Sequence, residues 1–225
     1  MIVLKLCKEG KETRVSEGRA KKLVRLSAYM NLETGTLYDE ENFQDEFTLM
    51  DKGTQMKVIA SRIRACKKCP GLNKKRLTEA IPGAGNLNAD IFFLGQSLHG
   101  PGMVSEIPFV GGSGLLIIAA LKLSRLERHD CYWTNIVHCH PENNRPSTER
   151  EKKNCLVYVQ KELDIVKPKL LVLLGRDAKE AAIEVPEGTK VHKVKHPSAI
   201  LRDGVPESIS DFVVKLSLAI DGAIK

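Results

Sequence analysis

Cysteines are the residues best able to do chemistry in this 225-residue chain, and two of them form the close pair CKKC that opens many metal centres. The opening sequence MIVLKLCKEGKE becomes charged too early for a secretory signal, so we expect an intracellular protein, cytoplasmic or nucleoid-associated. Thiols there are reduced or metal-bound rather than paired as disulfides. The six cysteines are Cys7, Cys66, Cys69, Cys131, Cys139 and Cys155.

The cysteine spacing leaves several interpretations open. A zinc knuckle would offer two close pairs, although four dispersed thiolates also bind zinc. Iron–sulfur clusters accept one close pair plus two scattered thiolates, such as Cys139 and Cys155 with fifteen residues between them. These two are equally well interpreted as ordinary buried cysteines. Cys7 and Cys131 have no partner in any such arrangement, and we predict that they are structural.

A second candidate site lies in the stretch DIFFLGQSLHGPGMVSEIPFVGGSG, residues 90–114. An apolar run breaks into glycines and prolines and then resumes as a helix start. A buried strand that feeds a glycine-rich loop and a helix predicts a loop at the mouth of a binding crevice. Glu106 is the only carboxylate between the strand and the helix.

Charge favours a polyanionic partner. The chain carries 35 Lys and Arg against 28 Asp and Glu, a net charge of +7, and residues 64–76, RACKKCPGLNKKR, are almost purely basic. Such a surface suits nucleic acid. The longest apolar runs, KLLVLLG and LLIIAALKL, fall short of the roughly 20 residues needed to cross a bilayer, so we expect no membrane partner.

Strands and helices must position these residues, and they alternate along most of the chain. The runs IFFLG, CYWTNIV, KLLVLLG and KVHKVK are predicted strands, with helical segments between them, one of which begins with a capping box at Thr148 and Glu151. This pattern predicts an α/β fold with a central, mainly parallel four-stranded sheet covered by helices. We assign residues 56–225 to this domain and residues 1–55 to a small N-terminal extension, with one helical candidate near residues 17–30.

The order of motifs resembles that of the family-four, iron–sulfur uracil-DNA glycosylases. The motifs are CxxC, a loop that ends in PFVG, TNIVHCHPENNR, a cysteine fifteen residues after Cys139, and HPSAILR near the end. The resemblance spans roughly residues 60–220. It implies a three-layer α/β/α fold, a monomer that acts on uracil-containing single- or double-stranded DNA, and a structural [4Fe-4S] cluster on Cys66, Cys69, Cys139 and Cys155.

The resemblance also implies roles for the pocket residues. Phe109 would stack on the flipped base, Asn135 would read the uracil edge beside Gly95, and His196 would support the leaving base at O2. Contacts to the DNA backbone would come from residues in or near the basic segment and the late motif. We expect these to be Lys67, Lys68, Arg145, Ser198 and Arg202.

The glycine-rich loop departs from the family pattern. Gln96 stands where a glutamate is expected, and Ser97 follows it. Gln96, Ser97 or Glu106 would then position the water that attacks the sugar. The function implied is excision of uracil, or of a related modified pyrimidine, by hydrolysis of its N-glycosidic bond at the start of base excision repair. The alternative is an impaired or inactive iron–sulfur DNA-binding protein that keeps the fold.

Overall fold

A computed structural model describes residues 50–98 and 104–224 in full, together with the backbone of four short strands before residue 39. The chain divides into two compact units, Met1–Gln55 and Met56–Lys225. Residues 99–103, in the middle of the glycine-rich loop, lie outside the described residues, as does Cys7.

The first unit contains a small sheet. Its strands are β1 (Ile2–Leu6), β2 (Lys11–Val15), β3 (Tyr29–Met30) and β4 (Thr36–Tyr38), in the order β2-β1-β4-β3. Strand β1 is antiparallel to β2 and parallel to β4. Most of the helix predicted near residues 17–30 lies outside the described residues, and its last two residues form β3.

The second unit is built on a five-stranded sheet in the order β5-β7-β6-β8-β9. The prediction of four strands was wrong by one. Strand β5 (Ala84–Gly85) is a two-residue edge strand antiparallel to β7, too short to produce a periodic signal. The four predicted strands are β6 (Ile91–Ser97), β7 (Tyr132–Val137), β8 (Leu170–Leu174) and β9 (Lys190–Val194), and they are mutually parallel.

Helices cover both faces of this sheet, which confirms the α/β class. The helices are α1 (Lys52–Ala65), α2 (Gly112–Leu123), α3 (Glu149–Val166), α4 (Arg176–Glu180), α5 (Pro197–Asp203) and α6 (Pro206–Ile224). Helices α2 and α6 pack together, and their apolar residues form one core with Phe93 and Trp133 of the sheet. No described helix is long and apolar enough to cross a membrane.

Strand β7 lies in the interior of the sheet and is buried along its whole length. Successive side chains of a strand point to opposite faces. Trp133 therefore stacks on Phe93 in the core beside α2 and α6, with ring centroids 4.4 Å apart, while Tyr132 and Thr134 contact Glu162 of α3 on the other face. The strand is thus held between two layers of helices.

The capping box predicted for α3 is confirmed. The Thr148 hydroxyl accepts a hydrogen bond from the Glu151 backbone N–H at 3.2 Å, and the Glu151 carboxylate accepts one from the Thr148 N–H at 2.8 Å. These two bonds satisfy amide groups that the first turn of a helix leaves without partners. They fix where α3 begins, and therefore where Cys155 lies along it.

We expect Thr148→Ala to lower the free energy of unfolding by about 1 kcal/mol, because the first turn of α3 loses a side-chain acceptor. Thr148→Ser keeps the hydroxyl and should retain most of the stability. Urea denaturation followed by circular dichroism measures both variants. Equal destabilisation by alanine and serine would contradict a role for the hydroxyl.

Candidate functional site

The carboxyl ends of the parallel strands open onto one pocket. Six of the residues predicted for the site line it together: Gln96, Ser97, Phe109, Asn135, His196 and Ser198. They come from the ends of β6 and β7, from the loop before α2 and from the start of α5. The structure thus brings together residues that are about a hundred positions apart in the sequence. They meet at the carboxyl ends of the parallel strands, where such sheets commonly bind ligands.

Gly95 makes the closest packing in the pocket possible. It pairs with Asn135 across strands β6 and β7. A Cβ atom at position 95 would lie 2.4 Å from Cζ of Phe109 and 2.7 Å from Oδ1 of Asn135. The phenylalanine ring and the carboxamide therefore approach the backbone of β6 at a point where any side chain would displace them.

The loop that carries Phe109 has an unusual backbone conformation. Phe109 has a φ of 58°, in the left-handed region that is uncommon for residues other than glycine. The next turn passes so near that a Cβ on Gly114 would lie 1.9 Å from the Phe109 carbonyl oxygen. Arg128, which sequence analysis did not identify, donates hydrogen bonds to the carbonyls of Pro108 and Phe109. Its guanidinium also stacks on Trp133 at 4.5 Å, so this arginine fixes the loop.

His196 is held with its ring in a defined orientation. It is the residue before α5, and its Nδ1 accepts a hydrogen bond from the Ser198 backbone N–H at 3.2 Å. The Ser198 hydroxyl lies 2.7 Å from the same nitrogen. Because a backbone N–H can only donate, Nδ1 acts as the acceptor and the proton of the neutral ring is on Nε2. The ring is within 6.5 Å of the Phe109 ring, so this donor belongs to the same pocket.

Glu106 does not line the pocket. Its side chain is 66% exposed and lies 3.7 Å from the guanidinium of Arg64. None of the described residues that line the pocket is acidic, and the undescribed stretch 99–103 reads HGPGM. Gln96 and Ser97 are the polar residues of the described pocket lining that lie at the end of β6.

Sequence analysis missed four further residues of the pocket wall: Leu98, Val110, Ser113 and Asn144. Asn144 lies in the ENNR stretch, in which only Arg145 was predicted to be a site residue. Its φ of 54° follows from the sharp 3₁₀ turn Glu142–Asn144. A pair of left-handed asparagines in a turn is a readable signal, but the sequence gives no sign that this turn reaches the pocket.

A separate cavity brings together four cysteines from three parts of the chain. Cys66 and Cys69 follow α1, Cys139 follows β7, and Cys155 lies in α3. Ile63, Leu72 and Ala80 supply most of the apolar wall. Cys131 is instead buried in the core beside α2 and α6.

The thiols of this cavity do not converge on a single point. Within residues 50–98 and 104–224, no three His, Cys, Asp or Glu side chains converge closely enough to hold one metal ion. The four thiols surround a common space instead, as thiolates surround an iron–sulfur cluster. Four thiols around one cavity fit the thiolate ligation of an iron–sulfur cluster.

Burial governs the acidity of these thiols. It raises the pKa of Cys139 to about 12 and also raises the pKa of Cys69. At Cys155 burial acts in the same direction, but hydrogen bonding and charge from His138 outweigh it and lower the pKa of that thiol. At His138, burial lowers the pKa, but Glu162 and Cys155 outweigh it and raise it to about 10. Binding of cationic iron would favour the thiolate form at all four positions.

The residues predicted to contact DNA lie in different surroundings. Lys67 and Lys68 are exposed between Cys66 and Cys69, and the Lys68 ammonium lies 5.1 Å from the centre of the Tyr158 ring. Arg202 is exposed on α5. Arg145 is engaged within the protein, since it donates to both carboxylate oxygens of Glu151, at 2.9 and 2.6 Å. Those bonds raise the pKa of Arg145 and lower that of Glu151.

The chain is similar to known proteins over more than half of its length. The family described as the uracil DNA glycosylase superfamily matches residues 82–215. The chain is 33% identical to a type-4 uracil-DNA glycosylase of Thermotoga maritima, over 66% of this chain and 84% of that protein. It is 38% identical to a type-4 enzyme of Archaeoglobus fulgidus, over 53% of this chain and 59% of that protein.

The chain belongs to the uracil DNA glycosylase superfamily. Within the superfamily it is 33–38% identical to type-4 uracil-DNA glycosylases, which confirms the family-four resemblance. A type-5 uracil-DNA glycosylase of Pyrobaculum aerophilum is 28% identical over 65% of this chain.

If the four cysteines hold the cluster that the resemblance implies, Cys155→Ala should contain much less iron than the wild type and unfold at a lower temperature, because one of four ligands is removed from a buried site. Cys131→Ala, which alters a buried thiol outside the cavity, should keep its iron. Iron analysis of the purified proteins and absorbance near 400 nm measure the difference. Full iron content in Cys155→Ala would overturn the ligand assignment.

Gly95→Ala should weaken the binding of uracil at least tenfold, because its Cβ would displace both Phe109 and Asn135. Gly222→Ala is the matched control, since a Cβ there meets nothing within 4 Å. Calorimetric titration of each variant with a uracil-containing oligonucleotide measures the effect. Wild-type affinity in Gly95→Ala would show that the packing around Gly95 is not needed.

Proposed function

We propose that this protein is an iron–sulfur uracil-DNA glycosylase, which removes uracil from DNA by hydrolysis of the N-glycosidic bond. The observation that carries the proposal is the meeting of Phe109, Asn135 and His196 in one pocket. An enzyme that acts on a base within DNA must rotate the nucleotide out of the stack into such a pocket. The names of the type-4 relatives support uracil as the base.

Phe109 and Asn135 recognise the base. An aromatic ring that stacks on a base contributes about 1–3 kcal/mol. The Asn135 carboxamide accepts from the uracil N3–H through Oδ1 and donates to O4 through Nδ2. Cytosine presents the opposite pattern at both positions. Asn135 is only 5% exposed, so a mismatched base would leave buried polar atoms without partners.

His196 stabilises the leaving base. As the glycosidic bond breaks, negative charge develops on the uracil O2 and the sugar becomes positively charged. Because Nδ1 accepts from Ser198, the ring proton is on Nε2, and this N–H would donate to O2. A donor aimed at an atom that gains charge only in the transition state lowers the barrier without tightening substrate binding.

Activation of water relies on neutral groups. Gln96 and Ser97 can orient a water molecule toward C1′ but cannot remove its proton as a carboxylate does, so that proton would pass to the departing uracil anion, directly or through solvent. A positioned general base typically contributes about 10²–10⁴ in rate, so we expect slow hydrolysis. The DNA phosphates that flank the sugar then supply most of the stabilisation of its positive charge.

The cluster would be held by Cys66, Cys69, Cys139 and Cys155. Its role here is structural, because it would join α1, the end of β7 and α3 at a site separate from the base pocket. Lys67 and Lys68, beside it on the surface, would contact phosphates, together with Arg202. Ser198 would reach a phosphate only if its hydroxyl leaves His196, and Arg145 only if it leaves Glu151. We propose that Arg145 instead stabilises the ENNR turn.

The function is tested by release of free uracil from a uracil-containing oligonucleotide. The wild-type protein should release uracil, and His196→Ala should reduce the single-turnover rate at least a hundredfold. The exposed His129, substituted as His129→Ala, is the matched control and should leave the rate unchanged. Tight DNA binding with no base released from any modified pyrimidine would support the non-catalytic alternative. Unchanged release by His196→Ala would refute the mechanism.

Asn135→Asp should weaken the recognition of uracil by about 1–3 kcal/mol, because a carboxylate still accepts from N3–H but no longer donates to O4. Competition between uracil- and cytosine-containing oligonucleotides measures the discrimination. The same uracil preference in wild type and Asn135→Asp would remove Asn135 from base reading.

A further inference from the structure

Arg128 contacts the loop that carries Phe109 but does not line the base pocket. It is the first residue of the short 3₁₀ turn Arg128–Asp130, just before β7. Its Nη2 donates a hydrogen bond to the carbonyl oxygen of Pro108, and its Nη1 donates one to the carbonyl oxygen of Phe109 at 3.5 Å. One planar guanidinium therefore binds two successive carbonyls of the loop.

These two carbonyls belong to the peptide groups on either side of the Phe109 Cα atom. Each peptide group is planar, so a partner that holds its carbonyl also restricts the orientation of the whole group. The two orientations together set φ and ψ at Phe109, and with them the direction in which its Cβ atom leaves the backbone. Arg128 therefore constrains where the Phe109 ring points.

The conformation held in this way is one that phenylalanine rarely adopts. The φ of Phe109, 58°, lies in the left-handed region, where a residue with a side chain persists only when its surroundings hold it there. The first turn of α2 approaches the same carbonyl, since a Cβ atom on Gly114 would lie 1.9 Å from the Phe109 oxygen. A loop released from Arg128 would relax toward ordinary φ values and would carry the ring with it.

Trp133 of β7 fixes the position of Arg128. The guanidinium carbon lies 4.5 Å from the centre of the Trp133 ring, and the indole N–H donates to the Arg128 carbonyl oxygen at 3.0 Å. Trp133 is buried and stacks on Phe93, so its own position is set by the sheet. The Phe109 ring lies 5.8 Å from the Trp133 ring. The loop is thus fixed relative to the strand that supplies Asn135.

The charge of Arg128 has no acidic partner in the part of the chain that the structure describes. The carboxylates beside it in sequence, Glu127 and Asp130, contact His129 instead. A half-buried charge is costly unless polar groups or an aromatic face compensate it. The loop carbonyls and the Trp133 ring supply that compensation. The contacts that hold the loop therefore also hold the guanidinium in place.

We propose that Arg128 is a positioning residue for base binding, which aims the Phe109 ring at the flipped base by holding the two peptide groups beside it. The inference rests on the role of Phe109 under the proposed function. A ring that stacks on the base binds it equally in the substrate and in the transition state. Loss of its alignment therefore weakens binding and leaves the rate of bond cleavage at saturation nearly unchanged.

Arg128→Lys tests the planar fork of the guanidinium rather than its charge. A lysine ammonium stays positive but cannot bind both carbonyls in fixed directions while lying flat on Trp133. Arg128→Gln, whose neutral amide is shorter, is the second variant and is used if the lysine variant does not fold. Arg125→Lys makes the same exchange at an exposed arginine three residues earlier and is the matched control.

The measurement is single-turnover release of uracil from an oligonucleotide at increasing protein concentration, which gives a half-saturating concentration and a maximal rate. The Arg128 variants should raise the half-saturating concentration about tenfold, because base stacking typically supplies a factor of that order. Their maximal rate should stay within about twofold of the wild type. Arg125→Lys should match the wild type in both values. A residue with only a structural role would lower the unfolding temperature and leave both values unchanged in the folded protein.

A double-mutant cycle identifies the residue through which Arg128 acts. Adding Arg128→Lys to Phe109→Ala should not raise the half-saturating concentration further, because the ring that Arg128 aims is absent. An unchanged half-saturating concentration in the folded Arg128 variants would overturn the proposal. A further rise of the same size in the double variant would also overturn it.

Failure of the proposed function has a different signature. If the wild-type protein releases no uracil, the proposed function fails, and the role of Arg128 in base binding fails with it. If the wild type releases uracil and the Arg128 variants keep its half-saturating concentration, only the role of Arg128 fails.

Discussion

Strand β7 is the constraint on which both candidate sites depend. It is buried along its whole length. On one face its Trp133 packs against Phe93 and the α2–α6 core, and on the other its Thr134 contacts Glu162. Its end supplies Asn135 to the base pocket, and four residues later the chain supplies Cys139 to the cysteine cavity. Any shift of this strand would therefore move both sites at once.

The link between the sites continues through the residue after Cys139. His140 is buried, and its Nδ1 lies 3.0 Å from the carbonyl oxygen of Leu98, which is in the wall of the base pocket. A carbonyl can only accept, so the histidine donates. The segment 138–140 therefore contacts Glu162, the cysteine cavity and the start of the glycine-rich loop in three successive residues. A structural cluster at Cys139 would stabilise the pocket through this short path, although it takes no part in the chemistry.

Much of this arrangement could be predicted from the sequence, because it depends on local patterns. Continuous apolar runs identified the four long strands, and the order of motifs identified the residues of the pocket. The capping box at Thr148 and Glu151 fixed the start of α3. The two-residue strand Ala84–Gly85 could not be predicted, because it forms through pairing with β7 rather than through any pattern of its own.

The contacts that the sequence did not reveal are long-range and made by single side chains. Arg128 reaches the carbonyls of the Phe109 loop, and Arg145 is bound by Glu151 rather than free for a phosphate. Glu106 was a candidate for water activation because it is the only carboxylate near the loop, but it lies beside Arg64 on the surface. Sequence position gives proximity along the chain, whereas a side chain's role depends on where the fold directs it.

The central claim is that Phe109, Asn135 and His196 form a pocket for uracil. A crystal structure of the protein with free uracil diffused into the crystals tests it most directly. We expect the uracil ring to lie over Phe109, with N3 and O4 at the Asn135 carboxamide and O2 at Nε2 of His196. An empty pocket at saturating uracil, or a ring with O2 directed away from His196, would contradict it.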